Sequence, residues 1–313
     1  MPSPTVRVAV IQAGSILFDT PRTLDKLKGL AVEAAERGAQ LALFPEAFLG
    51  GYPKGIDFGV RVGSRSPEGR DWFRRYFDSA ISIPGPETDA LCELAKAVSL
   101  ALVVGVIERE RGTLYCSVVY IGRDGRLLGK HRKLVPTAAE RVLWGSGDGS
   151  TIPVVETGAG RVGAAICWEN YMPLLRMALY AQDIQIYCAP TVDDRETWLS
   201  TVRHIAMEGR CFVLSAHQFL KRSDCPDDYD PIQGNDPSTI LIRGGSAIIN
   251  PMGQVLAGPC FGEEAILLAD LDLADIPRGR FDLDVVGHYA RPDVFQLKVN
   301  TAPLPMVEGV QQP

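Results

Sequence analysis

The sequence lacks the cysteine and histidine patterns that are typical of disulfide-linked small domains or of metal sites. Its seven cysteines are odd in number and contain no C-x-x-C pair. Most of them lie in apolar runs, where cysteine acts as a small hydrophobic residue. The four histidines are scattered without the spacing of metal ligands. These absences argue against a disulfide framework and a zinc ribbon, and we expect neither a metal nor an organic cofactor.

The chain also has no long apolar run and no basic stripe. None of its apolar segments approaches the roughly 18 residues that a membrane span needs. The first residues, Met1-Pro-Ser-Pro-Thr-Val-Arg7, lack the charged and then apolar regions of a secretory signal. The net charge of −6 is unusual for a nucleic-acid binder. We therefore expect a protein of the reducing cytoplasm that binds neither membranes nor nucleic acids.

The chain does contain a repeated alternation of strands and helices. Hydrophobic residues make up 46% of the 313 residues, enough for a sizeable core. Predicted strands and helices alternate from Val6 to Lys130 and end in a β-hairpin, and residues Arg161 to Ala257 repeat this order. Two such units predict an α/β fold in which two sheets pack face to face with helices outside.

The two predicted hairpins resemble each other in sequence. Ser117-Val-Val-Tyr-Ile121 in the first corresponds to Ser246-Ala-Ile-Ile-Asn250 in the second, and each precedes a glycine turn. This indicates internal pseudo-two-fold symmetry, although α/β strands can also resemble one another by chance. No linker rich in Pro, Gly or Ser divides the chain, so we expect a single domain over residues 1–281. Residues 282–313 have little periodicity and are predicted to be a C-terminal extension that contributes to assembly.

Three short segments each place a reactive side chain directly after an apolar run. They are Leu41-Ala-Leu-Phe-Pro-Glu46, Gly129-Lys-His-Arg-Lys133 and Val162-Gly-Ala-Ala-Ile-Cys167. A thiol attacks carbon only as thiolate, so it needs a base, and the charge that develops on the substrate needs a fixed positive partner. Glu46, Lys133 and Cys167 can fill these three roles.

Each of the three residues also has a plain structural interpretation. Cys167 can be a buried structural thiol, Lys133 can belong to a solvated basic run, and Glu46 can mark the start of a helix. A helix is predicted near Pro173, and a cysteine close to a helix start has its pKa lowered by the backbone N–H groups. Taken one at a time, the residues do not decide between these interpretations.

Four segments occurring in this order resemble the nitrilase superfamily, which consists of carbon–nitrogen hydrolases with a Glu-Lys-Cys triad. They are Phe44-Pro-Glu-Ala-Phe-Leu-Gly-Gly-Tyr-Pro53, Lys130-His-Arg-Lys-Leu-Val-Pro-Thr137 with Glu140-Arg141, Trp144-Gly-Ser-Gly-Asp148, and Ala165-Ile-Cys-Trp-Glu-Asn-Tyr-Met-Pro173. The resemblance implies that Glu46 is the base, Lys133 stabilises negative charge and Cys167 is the nucleophile. It also implies that Glu140 is a second carboxylate that orients Lys133 and handles protons.

Within the superfamily, Cys167-Trp168-Glu169-Asn170 resembles the true nitrilases more than the amidases. The implied activity is hydrolysis of an organic nitrile to a carboxylic acid and ammonia through a thioimidate and a thioester. A cyanide hydratase or dihydratase, or an aliphatic amidase with the same triad, is the nearest alternative. An inactive interaction scaffold is a more distant one. The nitrile itself is left open by the sequence.

The resemblance also carries expectations about shape and surroundings. It implies a four-layer α-β-β-α sandwich that forms dimers, in some members extended into spiral assemblies. We expect the association to use the predicted helices Pro173–Gln182 and Asp194–Gly209. From their positions beside the triad segments, Tyr52, Trp168 and Thr191 are expected to line the substrate pocket, with core packing as their alternative role.

Overall fold

The structure, a computed structural model, describes residues 5–304. The strands in this part of the chain are β1 (Thr5–Gln12), β2 (Leu41–Leu43), β3 (Val60–Arg61), β4 (Ser64–Arg65), β5 (Ala101–Glu110), β6 (Thr113–Ile121), β7 (Leu127–Arg132), β8 (Val155–Glu156), β9 (Arg161–Ala164), β10 (Ile186–Cys188), β11 (Phe212–Ser215), β12 (Phe219–Lys221), β13 (Ile240–Ile249), β14 (Val255–Phe261) and β15 (Ala265–Asp272). The helices are α1 (Thr20–Glu36), α2 (Pro67–Ser79), α3 (Pro86–Val98), α4 (Pro173–Tyr180), α5 (Thr197–Gly209) and α6 (Asp275–Arg280). No helix among residues 5–304 is long and apolar enough to cross a membrane.

The strands form two main sheets. The first has the order β15-β1-β2-β5-β6-β7, and the second has the order β12-β13-β11-β10-β9-β8, with β14 beside β13. In each sheet three strands are parallel, and antiparallel strands extend it on both sides. The parallel strands need helical crossovers, which explains the strand–helix alternation in the sequence.

Three apolar clusters show how the layers stack. One cluster lies between the two sheets and contains residues of both, among them Val8 and Val103 from the first sheet and Val162 and Leu214 from the second. A second cluster packs α1 and α3 on the outer face of the first sheet, and a third packs α4 and α5 on the outer face of the second. The chain therefore forms the predicted four-layer α-β-β-α sandwich, with helices covering both sheets.

The two sheets repeat the same strand arrangement. In the first, β1, β2 and β5 are parallel and are followed by the antiparallel strands β6 and β7. In the second, β9, β10 and β11 are parallel and are followed by the antiparallel strands β13 and β14. An antiparallel strand also flanks each repeat at its start, β15 beside β1 and β8 beside β9. This correspondence agrees with the pseudo-two-fold symmetry read from the sequence.

Two helices are shorter than predicted, and the first of them, predicted over Pro173–Gln182, ends at Tyr180. The helix expected to begin at Asp194 begins at Thr197, because Asp193 accepts hydrogen bonds from the Arg195 backbone and guanidinium and keeps this stretch in a turn. Its apolar stripe, formed by Trp198, Val202 and Ile205, is buried against its own sheet. The stripe is therefore not free to receive a partner.

The last described residues run over the surface. Residues 282–304 contain turns but no regular element, and Val285 and Val286 pack against the third apolar cluster. The Leu304 N–H donates to Asp148. The rest of the predicted extension, residues 305–313, lies outside the described residues. The division into one domain and an extension therefore stays a prediction.

Gly105 on β5 determines where the chain after β2 can lie. A Cβ at this position would lie 2.7 Å from the Cα of Glu46 and would collide with the Pro45 carbonyl. We expect Gly105→Ala to lower the free energy of unfolding by about 1–3 kcal/mol, the usual cost of overpacking. Gly29→Ala, in the exposed part of α1 with no atom within 4 Å of the new Cβ, is the matched control. It should raise stability by about 0.5–1 kcal/mol. Urea unfolding measures the free energy of both variants. Equal changes in the two would show that close packing at Gly105 does not fix the position of the Glu46 segment.

Candidate active site

The three segments singled out in the sequence meet between the two sheets. Glu46 follows β2 and Lys133 follows β7, both in the first sheet, whereas Cys167 follows β9 in the second. Glu46 and Lys133 have no exposed surface, and Cys167 is 4% exposed. The structure therefore brings the carboxylate, the ammonium and the thiol into one buried site that both sheets build.

Lys133 is the centre of a buried charge cluster. Its Nζ donates to Glu46 Oε1 and to Glu140 Oε2, both at 2.7 Å, and lies 5.4 Å from the centre of the Trp144 ring. Burial by itself lowers the pKa of this amine, but Glu46 and the other acidic groups around it outweigh burial and hold the pKa well above its usual value. Lys133 is therefore a permanent positive charge at neutral pH.

Glu46 is held from several directions. Its Oε1 also receives the Cys116 thiol at 3.6 Å, and its Oε2 accepts from the Val192 N–H at 3.1 Å. Its main-chain carbonyl accepts from the Gln218 amide at 2.8 Å. Burial raises the pKa of Glu46, and this effect exceeds the opposing attraction of Lys133. A carboxylate with a raised pKa accepts a proton more readily than an exposed one.

Cys167 adopts a left-handed backbone conformation with φ of 53°, which is strained for a residue other than glycine. Its N–H donates to the Pro190 carbonyl at 2.9 Å, and the Asn170 amide donates to its carbonyl at 2.8 Å. These two bonds, one on each side of the residue, oppose relaxation of the strain. They keep the thiol in a fixed direction close to Glu46, whose charge acts on it.

The pKa of the Cys167 thiol is raised, whereas the sequence argument predicted that it would be lowered. Burial raises it most and the charge of Glu46 adds to this, while Lys133 and the Thr191 hydroxyl act in the opposite direction. The predicted helix, α4, does begin at Pro173, but a five-residue 3₁₀ turn, Cys167–Tyr171, separates it from the thiol. The resting group is therefore a thiol that must give its proton to a base.

Glu140 is fixed by three donors. Its Oε1 accepts from the Tyr52 hydroxyl at 2.8 Å, and its Oε2 accepts from the Thr137 N–H at 2.6 Å in addition to Lys133. The Tyr52 ring packs edge-on against Trp144 with 5.8 Å between ring centres. Tyr52, which the sequence suggested as a pocket wall, therefore also holds the second carboxylate in place.

The other two suggested wall residues differ in burial. Thr191 is buried and follows β10, and its hydroxyl acts to lower the pKa of the Cys167 thiol. Trp168 is 43% exposed, its indole N–H donates to Asp193 at 2.8 Å, and the Arg195 guanidinium lies 4.9 Å from the centre of its ring. Thr191 thus lies in the interior near the thiol, whereas Trp168, the residue after Cys167, is partly exposed at the surface.

Sequence reasoning did not identify several residues of this site. Gln218 and Cys116 contact Glu46, and Glu169 with His131 connects the segments of Lys133 and Cys167. Cys116 was read as one more apolar-run cysteine and His131 as a scattered histidine, so no local pattern marked them. Within residues 5–304 no three His, Cys, Asp or Glu side chains lie close enough together to hold a metal ion.

Comparison with known proteins shows the family of this chain. The model of the carbon–nitrogen hydrolase family matches residues 7–281. A bifunctional nitrilase/nitrile hydratase of Lupinus angustifolius is 56% identical over 306 residues, covering 96% of this chain and 88% of the relative. An aliphatic nitrilase of Sinorhizobium fredii is 55% identical over 297 residues, covering 95% and 96%. This chain belongs to the carbon–nitrogen hydrolase family, and it groups with the nitrilases of that family.

Solved structures with low sequence identity share the fold. The NitFhit protein of C. elegans superimposes with a TM-score of 0.75 at 21% identity, covering 98% of this chain and 70% of that chain. An amidase from Nesterenkonia sp. superimposes with a TM-score of 0.65 at 22% identity, covering 88% and 94%. Both support the sandwich architecture described above.

The raised pKa of Cys167 makes a prediction about its reactivity. We expect Glu46→Gln to slow alkylation of Cys167 by iodoacetamide about 10²-fold at pH 7, because the thiol then loses its base. The rate of the variant should climb as the pH approaches the thiol pKa, where thiolate forms without help. Peptide mass spectrometry of Cys167 measures the rate. The control, Glu108→Gln, removes another buried carboxylate, and equal rates in both variants would contradict the role of Glu46.

Proposed function

We propose that this protein hydrolyses an organic nitrile to the carboxylic acid and ammonia, with Cys167 as the covalent nucleophile. The observation that carries the proposal is the buried contact of Lys133 with Glu46 and Glu140 beside the Cys167 thiol, in a chain 55–56% identical to curated nitrilases. The site contains a nucleophile, a base and a fixed positive charge, which are the groups that addition to a C≡N bond requires.

The first half of the proposed reaction forms a thioimidate. Glu46 takes the thiol proton as the Cys167 sulfur bonds to the nitrile carbon, and the C≡N triple bond becomes a double bond. Negative charge develops on the nitrogen, where Lys133 and the Trp168 backbone N–H stabilise it, and the nitrogen takes up the proton. Glu140 keeps Lys133 aimed at this position.

The second half releases the products. Water adds to the thioimidate carbon, the C–N bond breaks and ammonia leaves, so that a thioester remains on Cys167. Glu46 then takes a proton from a second water, which attacks the thioester carbon. The C–S bond breaks, the acid leaves, and the thiol recovers its proton. The reaction consumes the nitrile and two water molecules, and the side chains named above return to their starting state.

A second outcome of the same intermediate is release of an amide. After water adds to the thioimidate, breaking of the C–S bond instead of the C–N bond regenerates the thiol and leaves the amide. Four relatives that are 54–56% identical to this chain are named bifunctional nitrilase/nitrile hydratases, which favours this branch as a side reaction. The ratio of acid to amide depends on whether the nitrogen or the sulfur of the tetrahedral intermediate is protonated and leaves first.

A panel of nitriles and amides with acid, amide and ammonia all quantified tests the proposal. We expect turnover of at least one aliphatic, aryl or arylacetonitrile with acid and ammonia in equal amounts. Cys167→Ser should lose turnover by at least about 10³-fold while keeping the fold, because a hydroxyl is a much weaker nucleophile at this pH. Turnover of amides alone would favour an amidase. No turnover, with Cys167 inert to alkylation, would favour a scaffold.

We further propose that the protein associates with copies of itself and works in the cytoplasm. Exposed apolar side chains support association, among them Tyr171 and Leu174 at the start of α4 and Phe281 and Phe295 in the C-terminal part. All seven cysteines are free thiols, which fits a reducing compartment. The extension after residue 281 is proposed to contact a neighbouring copy.

Light scattering tests the association. Leu174→Asp should reduce the particle mass, because a charge replaces a side chain that is 66% exposed on α4. The control is Val32→Asp on α1, a 36% exposed residue of the opposite outer layer, which should leave the mass unchanged. An unchanged mass in Leu174→Asp would exclude this end of α4 as the interface. A fully active monomer would show that association does not support activity.

A further inference from the structure

One buried carboxylate connects the two segments that carry Cys167 and Lys133. Glu169 lies two residues after Cys167, and its Oε2 accepts from the Ile166 N–H at 2.7 Å. Its Oε1 accepts from the N–H of Leu134, the residue after Lys133, also at 2.7 Å. These bonds join the second sheet to the first through a single side chain. They do so one residue away from the nucleophile and one residue away from the ammonium.

The charge of this carboxylate is matched by a histidine. His131 Nε2 lies 2.9 Å from Glu169 Oε2, and neither side chain has exposed surface. The other ring nitrogen, Nδ1, faces the carbonyl oxygen of Thr151, which can only accept a hydrogen bond. Donation to the carbonyl and to a carboxylate requires protons on both ring nitrogens. The geometry thus fits an imidazolium paired with a carboxylate, and burial without such a pair would be costly.

Other titratable groups near this pair do not change its charge. Tyr120 on β6 and Tyr187 on β10 lie close enough to interact with Glu169, as does Cys116 on β6. Burial raises the pKa of all three groups, so they are neutral at physiological pH. The pKa of His131 is itself raised, because Glu169 outweighs the effect of burial.

The link matters because the backbone hydrogen bonds of Cys167 stay within its own half of the molecule. The Pro190 carbonyl and the Asn170 amide hold the strained residue from the second sheet. In the same way, the Lys133 N–H donates to the Cys116 carbonyl within the first sheet. These bonds fix each segment to its own sheet, but none of them fixes the thiol relative to the ammonium.

We propose that Glu169 and imidazolium His131 are positioning residues that set Cys167 relative to Lys133 for the reaction. The proposal rests on the nitrile hydrolysis proposed above. A misplacement of about 1 Å in such a site can cost 10²-fold in rate. Loss of the pair should therefore lower kcat strongly and affect KM little, because neither side chain has exposed surface through which it could bind the substrate.

Glu169→Gln tests the link. Glutamine keeps the shape of the side chain but has one acceptor oxygen, whereas the two oxygens of Glu169 both accept hydrogen bonds. We expect kcat to fall about 10²-fold with KM changed less than about threefold. The control is Glu108→Gln. Glu108 is equally buried and binds Lys130 and Arg132, the neighbours of His131 that point to the other face of β7. Its loss should affect the melting temperature but not kcat.

A similar kcat in the two variants, at comparable melting temperatures, would show that Glu169 stabilises the fold but does not position Cys167 for the reaction.

A second measurement reads the protonation of His131 in the wild-type protein and does not depend on nitrile turnover. NMR of wild-type protein labelled with ¹⁵N-histidine gives signals from four histidines, and loss of one signal in His131→Gln assigns His131. We expect both of its ring nitrogens to be protonated at pH 7. One unprotonated nitrogen would overturn the ion pair. If the wild type hydrolyses no nitrile, the alkylation rate of Cys167 replaces kcat. A slower rate in Glu169→Gln than in Glu108→Gln would still support the positioning role, and equal rates would refute it.

Discussion

The burial of one ammonium between two carboxylates is the interaction on which the rest of the site depends. Lys133 has no exposed surface, so its charge would be very costly without Glu46 and Glu140 at 2.7 Å on either side. The cluster explains why Glu140 needs further donors, from Tyr52 and the Thr137 N–H. It also explains why removal of one member would disturb the others: each charge is stable inside only because its partners are present.

The sandwich supplies this cluster from two sides. The pseudo-two-fold repeat places Pro45-Glu46 after β2 and Pro190-Thr191 after β10, at matching positions of the two halves. One half thus contributes the proposed base, and the other contributes the Thr191 hydroxyl that acts on the thiol pKa. Because Glu46 and Lys133 follow strands of one sheet and Cys167 follows a strand of the other, the bonds of Glu169 and Gln218 connect the segments that carry them.

The electrostatics of the resting site favour a neutral nucleophile. Burial raises the pKa of Cys167 and also the pKa of Glu46. The thiol therefore holds its proton in the resting site, and the adjacent carboxylate is the group that we propose as its base. Lys133 remains positive throughout and can stabilise charge that appears only during the reaction, which is the condition for lowering a barrier rather than merely binding a substrate.

The sequence by itself determined the sandwich layers and the strand–helix order, and it singled out the three segments that meet at Glu46, Lys133 and Cys167, because strand periodicity and motifs act over short stretches of chain. The burial of Trp198, Val202 and Ile205 on their own sheet, the raised thiol pKa, and the pairing of His131 with Glu169 were decided only by the tertiary structure. His131 and Glu169 are 38 residues apart in the sequence. They come into contact only because the two sheets pack face to face. The burial of a residue likewise depends on all of its neighbours in space, so a local sequence pattern predicts neither feature.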